Sequence, residues 1–318
     1  MFKLNIVDGG ARYGLHPTWE KCKNAAHFDL FEIDVDEAGR LRAKYKKSEN
    51  IEVHEKGLYS ENTQLELSLS EHKALTSFYT FDKGLAEQFQ HFTKEGTQTS
   101  KRSINVVKLD DFFEDKPVHF LKLDTEGSEL EVLKGSTAKL QESVLGIRAE
   151  VLFVPLYKEG ATFCDIQKFL FERGFELINL DYTGQGAAQS KYTDVDRYGV
   201  LISTDGVWVK RKDIVFGEKN LAKRDQNIIF YALFLMLNGA TDVAIHILLA
   251  AAKELSVDFS LYCDDPVFKV LDKEIQVLFK KISYIPSHDI NELDSIYKTI
   301  FGRNLKMYHE FYESDLFD

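Results

Sequence analysis

The sequence predicts an α/β fold: a mostly parallel sheet with helices on both faces and an antiparallel hairpin at one edge, followed by an all-helical C-terminal segment. Three observations support this. Strand and helix patterns alternate to about residue 210, as expected of parallel strands joined by crossover helices. The first strand runs into a glycine-rich turn, NIVDGGARYG (5–14). Beyond about residue 215 only helical spacing is found.

KLNIVDGG is an apolar run ending in glycine, and HPTWEKCKNAAH (16–27), with Pro17 near its first turn, has helical character. FDLFEID (28–34) predicts a second strand and DEAGRLRAKYKK (36–47) a second helix. IEVHEKGLY (51–59) and QLELSLS (64–70) alternate with period two. Residues 71–103 show no clear period and predict a long loop or lid. INVVKLDDFF (104–113) and HFLKLD (119–124) are strand-like, SELEVLKGSTAKL (128–140) helical and VLGIRAEVLFV (144–154) a strand. TFCDIQKFLFERGF (162–175) predicts a helix ending at Gly174, and ELINL (176–180) a strand. RYGVLIS and GVWVK, joined at Thr204-Asp205-Gly206, predict the edge hairpin. The tail predicts helices over 228–255, broken near Asn238-Gly239, and over 266–282 and 290–301. The expected domains are residues 1–215 and a helical accessory domain, 216–318.

Net charge −11 disfavours a nucleic-acid partner held through phosphates and an anionic membrane surface. Cys22, Cys164 and Cys263 are far apart, which disfavours a disulfide framework and a structural zinc site. With no signal peptide before the first strand, a cytoplasmic location is expected. The apolar stretch QNIIFYALFLMLNGAT (226–241) is short for a bilayer span and predicts a buried helix.

Ligands of open parallel sheets bind at the carboxyl ends of the strands. The turn after the first strand fails both the G-x-G-x-x-G pattern, having Ala11, and the Walker pattern, since Leu15 and His16 follow Gly14. It offers Asp8, Gly9, Gly10 and Gly14 instead. An acid at this position suits a ligand with a cationic amino group, such as S-adenosylmethionine. Glu32 ends the second strand, where a carboxylate can accept both ribose hydroxyls. Lys122 and Asp124 share one face of a later strand, and a lysine in an apolar strand needs a partner or a function. Ser128 and Glu131 have capping-box spacing. Glu126, Glu129 and Glu131 also suit a helix N-terminus as such.

LKLDTEGSELEVLKG (121–135) resembles the signature of the FkbM family of S-adenosylmethionine-dependent methyltransferases. VDGGARYG, FEIDVD, VVKLDDFF, IRAEVLFVPLY and FLFERGFELINL resemble further family segments in order, over roughly residues 4–210. Arg12 departs from the family's usual asparagine. The resemblance implies a class I methyltransferase (Rossmann-like) fold and O-methylation of a sugar, glycan or secondary-metabolite hydroxyl. It implies that Asp8, Gly9, Gly10, Gly14 and Glu32 contact the cofactor and that Asp124 sits near the methyl group. Asp124 is the first candidate base, Glu150 the second and His54 the third, with Lys122 beside Asp124. A divalent metal on Asp124 and Glu150 is compatible with these residues, though no spacing demands it. Ser77, Phe78, Tyr79 and Phe81 either stack on the acceptor or anchor the loop. A catalytically inert binding module and a nicotinamide-dependent enzyme stay open as alternatives. The expected partner is a small-molecule or glycan acceptor, with no nucleic acid and no membrane span. The helical tail predicts either a stabilising appendage or a homo-oligomer contact.

Overall fold

The computed structural model describes residues 1–86, 97–181, 201–283 and 290–302. The chain divides into two compact units, Lys3–Val215 and Phe216–Asp318, and the second unit also includes Met1–Phe2.

The first unit is built on a seven-stranded sheet. Its strands are β1 (Leu4–Gly9), β2 (Ala26–Phe31), β3 (Ile51–His54), β7 (Phe120–Leu123), β8 (Gly146–Leu152), β9 (Phe175–Asp181) and β10 (Ser203–Lys210), in the order β3-β2-β1-β7-β8-β10-β9. The first five are parallel, and β10 runs antiparallel to both β8 and β9. The mostly parallel sheet with an antiparallel end is therefore as predicted. The turn is not: Thr204-Asp205-Gly206 lie inside β10, whose partners are β8 and β9. Residues 197–200 of the expected hairpin lie outside the described residues.

β1 and β7 are buried along their whole length, as expected of central strands covered on both faces. Val7, Leu121, Leu123, Ile147 and Trp208 share one core cluster with Val132, Leu133, Ile166 and Leu170. The last four come from two helices, α4 (Glu129–Lys134) and α6 (Phe163–Phe171), and a third, α5 (Thr137–Glu142), adds Leu140 to the cluster. Trp208 is fully buried, and its Nε1 donates to Gln167 Oε1 at 2.7 Å, which satisfies the indole's one polar atom.

Several local expectations are corrected. Residues 16–27 form only a 3-10 segment, Pro17–Cys22, before β2 begins at Ala26. Buried Trp19 and Cys22 stand three apart, the eclipsing period of that helix. The segment 104–113 is not one strand: β6 covers Gln98–Val107, and Leu109–Phe113 is a short helix, α3 (after α1, Val35–Lys44, and α2, Lys83–Ala86). Leu109 and Phe113, four apart, are its buried pair. β6 joins β4 (Gly57–Leu58) and β5 (Thr63–Ser70) in a second sheet of order β4-β6-β5. The expected lid therefore ends at Gln98, and its residues 87–96 lie outside the described residues. The helix expected over 128–140 is two helices, α4 and α5, broken at Gly135. A Cβ at Gly135 would lie 2.1 Å from the Tyr59 carbonyl oxygen, so only glycine allows that approach.

In the second unit, helices occupy Leu221–Leu237, Thr241–Glu254, Pro266–Ser283 and Ile290–Phe301. The expected single stripe of Ile228, Ala232 and Leu235 is exceeded, because every residue from Asn227 to Met236 is buried. Such an all-round apolar helix is a bundle's central element. The Phe2 ring packs on Phe230 and Tyr262, and the Phe2 amide donates to Asp265 Oδ2 at 2.6 Å. No helix among the described residues is long and apolar enough to cross a membrane.

Candidate active site

The strand order reverses between β1 and β7, and such a switch opens a crevice at the strands' carboxyl ends. The amides of Gly10 and Ala11 both donate to the Phe31 carbonyl, at 3.1 and 3.0 Å, and the Asp124 amide donates to the Gly9 carbonyl at 2.9 Å. These bonds pin the ends of β1, β2 and β7 together. Gly10 has φ +81°, and a Cβ there would lie 1.7 Å from the Asp124 carbonyl oxygen. Any other residue would push the two strand ends apart.

A cleft of about 320 Å³ opens above this junction. Gly9, Gly10, Glu32, Asp124 and Glu126 line it, together with Leu58, Leu67, Leu69, Ser77 and Phe78. Leu58, Leu67 and Leu69 come from the β4-β6-β5 sheet, which sequence reading missed. Neither Asp8 nor Gly14 lines the cleft. A Cβ at Gly14 would approach the Tyr45 hydroxyl oxygen, so Gly14 serves the turn behind it.

Asp8 is 1% exposed and Lys122 6%. Lys122 Nζ stands 3.3 Å from both Asp8 Oδ1 and Asp124 Oδ2. Lys122 thus has the partners its apolar strand required. Neither Asp8 oxygen accepts a well-formed hydrogen bond among the described residues. Burial dominates the Lys122 charge and pushes the Asp8 carboxyl up to about 6. The lysine is held above its ordinary value because the attraction of Asp8 and Asp124 together outweighs its burial. Glu32 is buried, accepts from the Asp34 amide at 2.7 Å, and has its carboxyl raised chiefly by that burial.

Oxygens of Asp124, Glu126 and Glu150 all lie within 4.8 Å of one another. Three carboxylates so close cannot all ionise cheaply. Burial first, then the neighbouring carboxylates, raises Glu126 and Glu150 well above the usual range. This trio is a donor set for a hard divalent cation. Glu126 has φ +54° and accepts from the Tyr157 hydroxyl at 2.8 Å. Sequence reading brought Asp124 and Glu150 together but gave Glu126 no more than a helix-start role, and it missed Tyr157. The signal for Glu126 was the tight Thr125-Glu126-Gly127 turn, which swings its side chain beside Asp124.

The predicted Ser128–Glu131 capping box is absent. Glu129 fills that role: its Oε1 accepts from the Thr125 amide and hydroxyl, at 2.6 and 3.0 Å, and its Oε2 from the Gly127 amide at 3.1 Å. Glu131 instead takes Ser60 and Lys134. Burial pushes the Glu129 carboxyl up to about 7. In the 71–103 segment the two readings divide between residues. Phe78 and Ser77 line the cleft, whereas Tyr79 meets Tyr59 and Phe81 stacks edge-on against Tyr157 at 5.3 Å. His54 does not line the cleft; it pairs with Asp29 at 2.9 Å.

The sequence profile of the methyltransferase FkbM domain matches residues 8–177, more than half of the chain. The chain belongs to the FkbM methyltransferase family. It is therefore a methyltransferase, and the family's methyl donor is S-adenosylmethionine. Solved structures similar to it include an rRNA methylase from Streptococcus thermophilus (9% identity, 66% of this chain and 88% of that chain, TM-score 0.34). Others are the precorrin-6y C5,15-methyltransferase from Geobacter metallireducens GS-15 (13%, 65% and 82%, 0.31) and the 23S rRNA methyltransferase ErmE (11%, 86% and 91%, 0.32). No curated protein matches the chain. The FkbM residues of this chain fit the donor: Gly9, Gly10 and Glu32 line the cleft, and the carboxylate of Asp8, paired with Lys122 at 3.3 Å, is buried behind that glycine turn.

Proposed function

We propose that this FkbM methyltransferase methylates a hydroxyl oxygen of a sugar, glycan or secondary metabolite. The observation that carries this reading is the Asp124–Glu126–Glu150 cluster at the carboxyl end of β7 and β8, beside the cleft. On this reading Gly9 and Gly10 border the cofactor's amino-acid end, Asp8 lends it negative charge from behind that turn, Gly14 supports the turn, and Glu32 accepts from the ribose hydroxyls. Bound S-adenosylmethionine supplies an electrophilic methyl group. Asp124 takes the acceptor's hydroxyl proton as the oxygen becomes nucleophilic, because an alcohol attacks poorly while its proton stays in place. Lys122, 3.3 Å from Asp124 Oδ2, holds that carboxylate in place. Glu150 and Glu126 either share the proton or hold a divalent ion that binds the acceptor's oxygens. Phe78 offers a flat apolar surface to a sugar ring. Holding acceptor and donor in line supplies much of the acceleration. The test is incubation with S-adenosylmethionine and a panel of sugars, glycans and polyol metabolites, with and without chelator, reading methylated product by mass spectrometry. Methyl ethers are the expected product. Methylation at nitrogen or carbon alone would overturn the reading.

Asp8 gives a pH signature. Its carboxyl titrates at about 6, and a ligand's cationic amino group favours the ionised form. Affinity for S-adenosylhomocysteine is therefore expected to rise by about tenfold between pH 5 and 7, below the range in which the amino group itself loses its proton. α-Amino groups keep their charge over that window, with values of about 7.7–8.0. Calorimetric titration of Asp8→Asn should show a flat profile. A wild-type profile that is equally flat would remove Asp8 from the amino-group site.

A further inference from the structure

At the edge of the sheet, two pairs of metal-ligand residues face one another. β2 carries His27 and Asp29, and β3 carries Glu52 and His54; each pair is two residues apart, so each lies on one face of its strand. The parallel register sets Asp29 beside Glu52. None of the four lines the cleft, so the methyltransferase reading leaves them without a role.

Ligand atoms of His27, Asp29 and Glu52 all lie within 4.8 Å of one another. His27 Nε2 lies 3.5 Å from Asp29 Oδ2 and 3.7 Å from Glu52 Oε1. His54 Nε2 lies 2.9 Å from Asp29 Oδ1 and 4.0 Å from Glu52 Oε2. Metal–ligand lengths of about 2.0–2.2 Å give tetrahedral ligand–ligand edges of about 3.3–3.6 Å, close to the two separations from His27. His27 Nε2 is buried and makes no well-formed hydrogen bond among the described residues. Two carboxylates side by side on adjacent strands repel, and His27 Nε2 lies within 3.7 Å of both of them. Lys116 Nζ offsets only Asp29, from 2.8 Å. It can remain there, because ligating carboxylates are themselves hydrogen-bonded. The His54 ring is fixed against Phe31 and Phe112, with centroids 4.8 and 5.0 Å away.

We propose that His27, Asp29 and Glu52 bind one divalent transition-metal ion, Zn²⁺ being the ion to test, while His54 orients Asp29 from 2.9 Å. The ion clips edge strand β3 to β2. The proposal does not rest on the acceptor or on the cleft. The test is calorimetric titration of the chelator-treated full-length chain with ZnCl₂, with Co²⁺ absorption as a coordination reporter. One tight, saturable event is expected, together with a ligand-field band for Co²⁺ and a Zn²⁺-dependent rise in Tm. His27→Ala and Glu52→Gln should each weaken the event by at least about tenfold, the loss typical even of outer-shell partners. Glu52 is 59% exposed in its side chain, so Glu52→Gln tests the site without burdening the fold. Asp124→Asn and Glu150→Gln should leave the tight event in place. No saturable binding, or a tight event lost in Asp124→Asn but unchanged in His27→Ala and Glu52→Gln, would overturn the proposal.

Discussion

Asp124→Asn is expected to lower turnover by about 10²–10⁴, the range of a lost general base, while S-adenosylhomocysteine affinity stays within about threefold. Asparagine keeps the shape of the side chain and its place 3.3 Å from Lys122, but it cannot take a proton. A group acting only as the acceptor hydroxyl ionises shows in the rate and not in cofactor binding. The measurement pairs kcat on whichever acceptor is methylated with calorimetry on the same preparation. Turnover within about threefold of wild type would make Asp124 a scaffold residue and move the proton to Glu150, the next carboxylate of the cluster. A variant that loses cofactor affinity and rate together would place Asp124 on the cofactor instead.

Lys122→Met is expected to cost about 3–5 kcal/mol of stability at neutral pH, the penalty for leaving a buried charge without its partner. Asp8 is the group left behind, since Lys122 is its one cation within salt-bridge distance among the described residues. The sign with pH follows from linkage. The Asp8 carboxyl is already raised in the folded chain, to about 6 against an ordinary 3.8, and losing Lys122 raises it further. The folded state then binds a proton that the unfolded state has released. Stability therefore falls as pH rises from the unfolded value through the folded one. Urea unfolding at pH 5 and at pH 7.5 should show a small deficit at the lower pH and the full one at the higher. Adding Asp8→Asn should recover most of it, because the double variant buries no unpaired charge. A deficit that ignores pH, or is not relieved by the second substitution, would mean that Lys122 stabilises by packing alone.

The parts of the fold that sequence made legible are those whose signal is local. β1 and β7 read as strands because each is a mostly apolar run, and each ends in residues, Gly9-Gly10 and Asp124, that suit a strand end. Lys122 stood out for being a charge in such a run, and the structure supplies both of its partners. β6 was illegible over Gln98–Ser103 because those residues are mostly exposed, so no alternation marks them. Their strand state comes from pairing with β5, a long-range contact. Leu109–Phe113 is too short for a helical period to separate it from the strand before it. Glu126 and Tyr157 meet only because a left-handed turn after β7 faces the loop after β8, and neither sequence segment signals the other. The His27–Asp29 and Glu52–His54 pairs were hidden for the same reason: each is unremarkable alone, and the strand register joins them.

The central claim is that the cleft over β1, β2 and β7 holds S-adenosylmethionine through this chain's own acids. Isothermal titration of the full-length chain with S-adenosylhomocysteine and with NAD, repeated on Glu32→Ala, tests it most directly. The account predicts saturable one-to-one binding of S-adenosylhomocysteine and none of NAD. It also predicts a loss of about 1–3 kcal/mol in Glu32→Ala, the worth of charge-assisted hydrogen bonds in a shielded site. Unchanged affinity in a folded Glu32→Ala chain, or preferential binding of NAD, would contradict it.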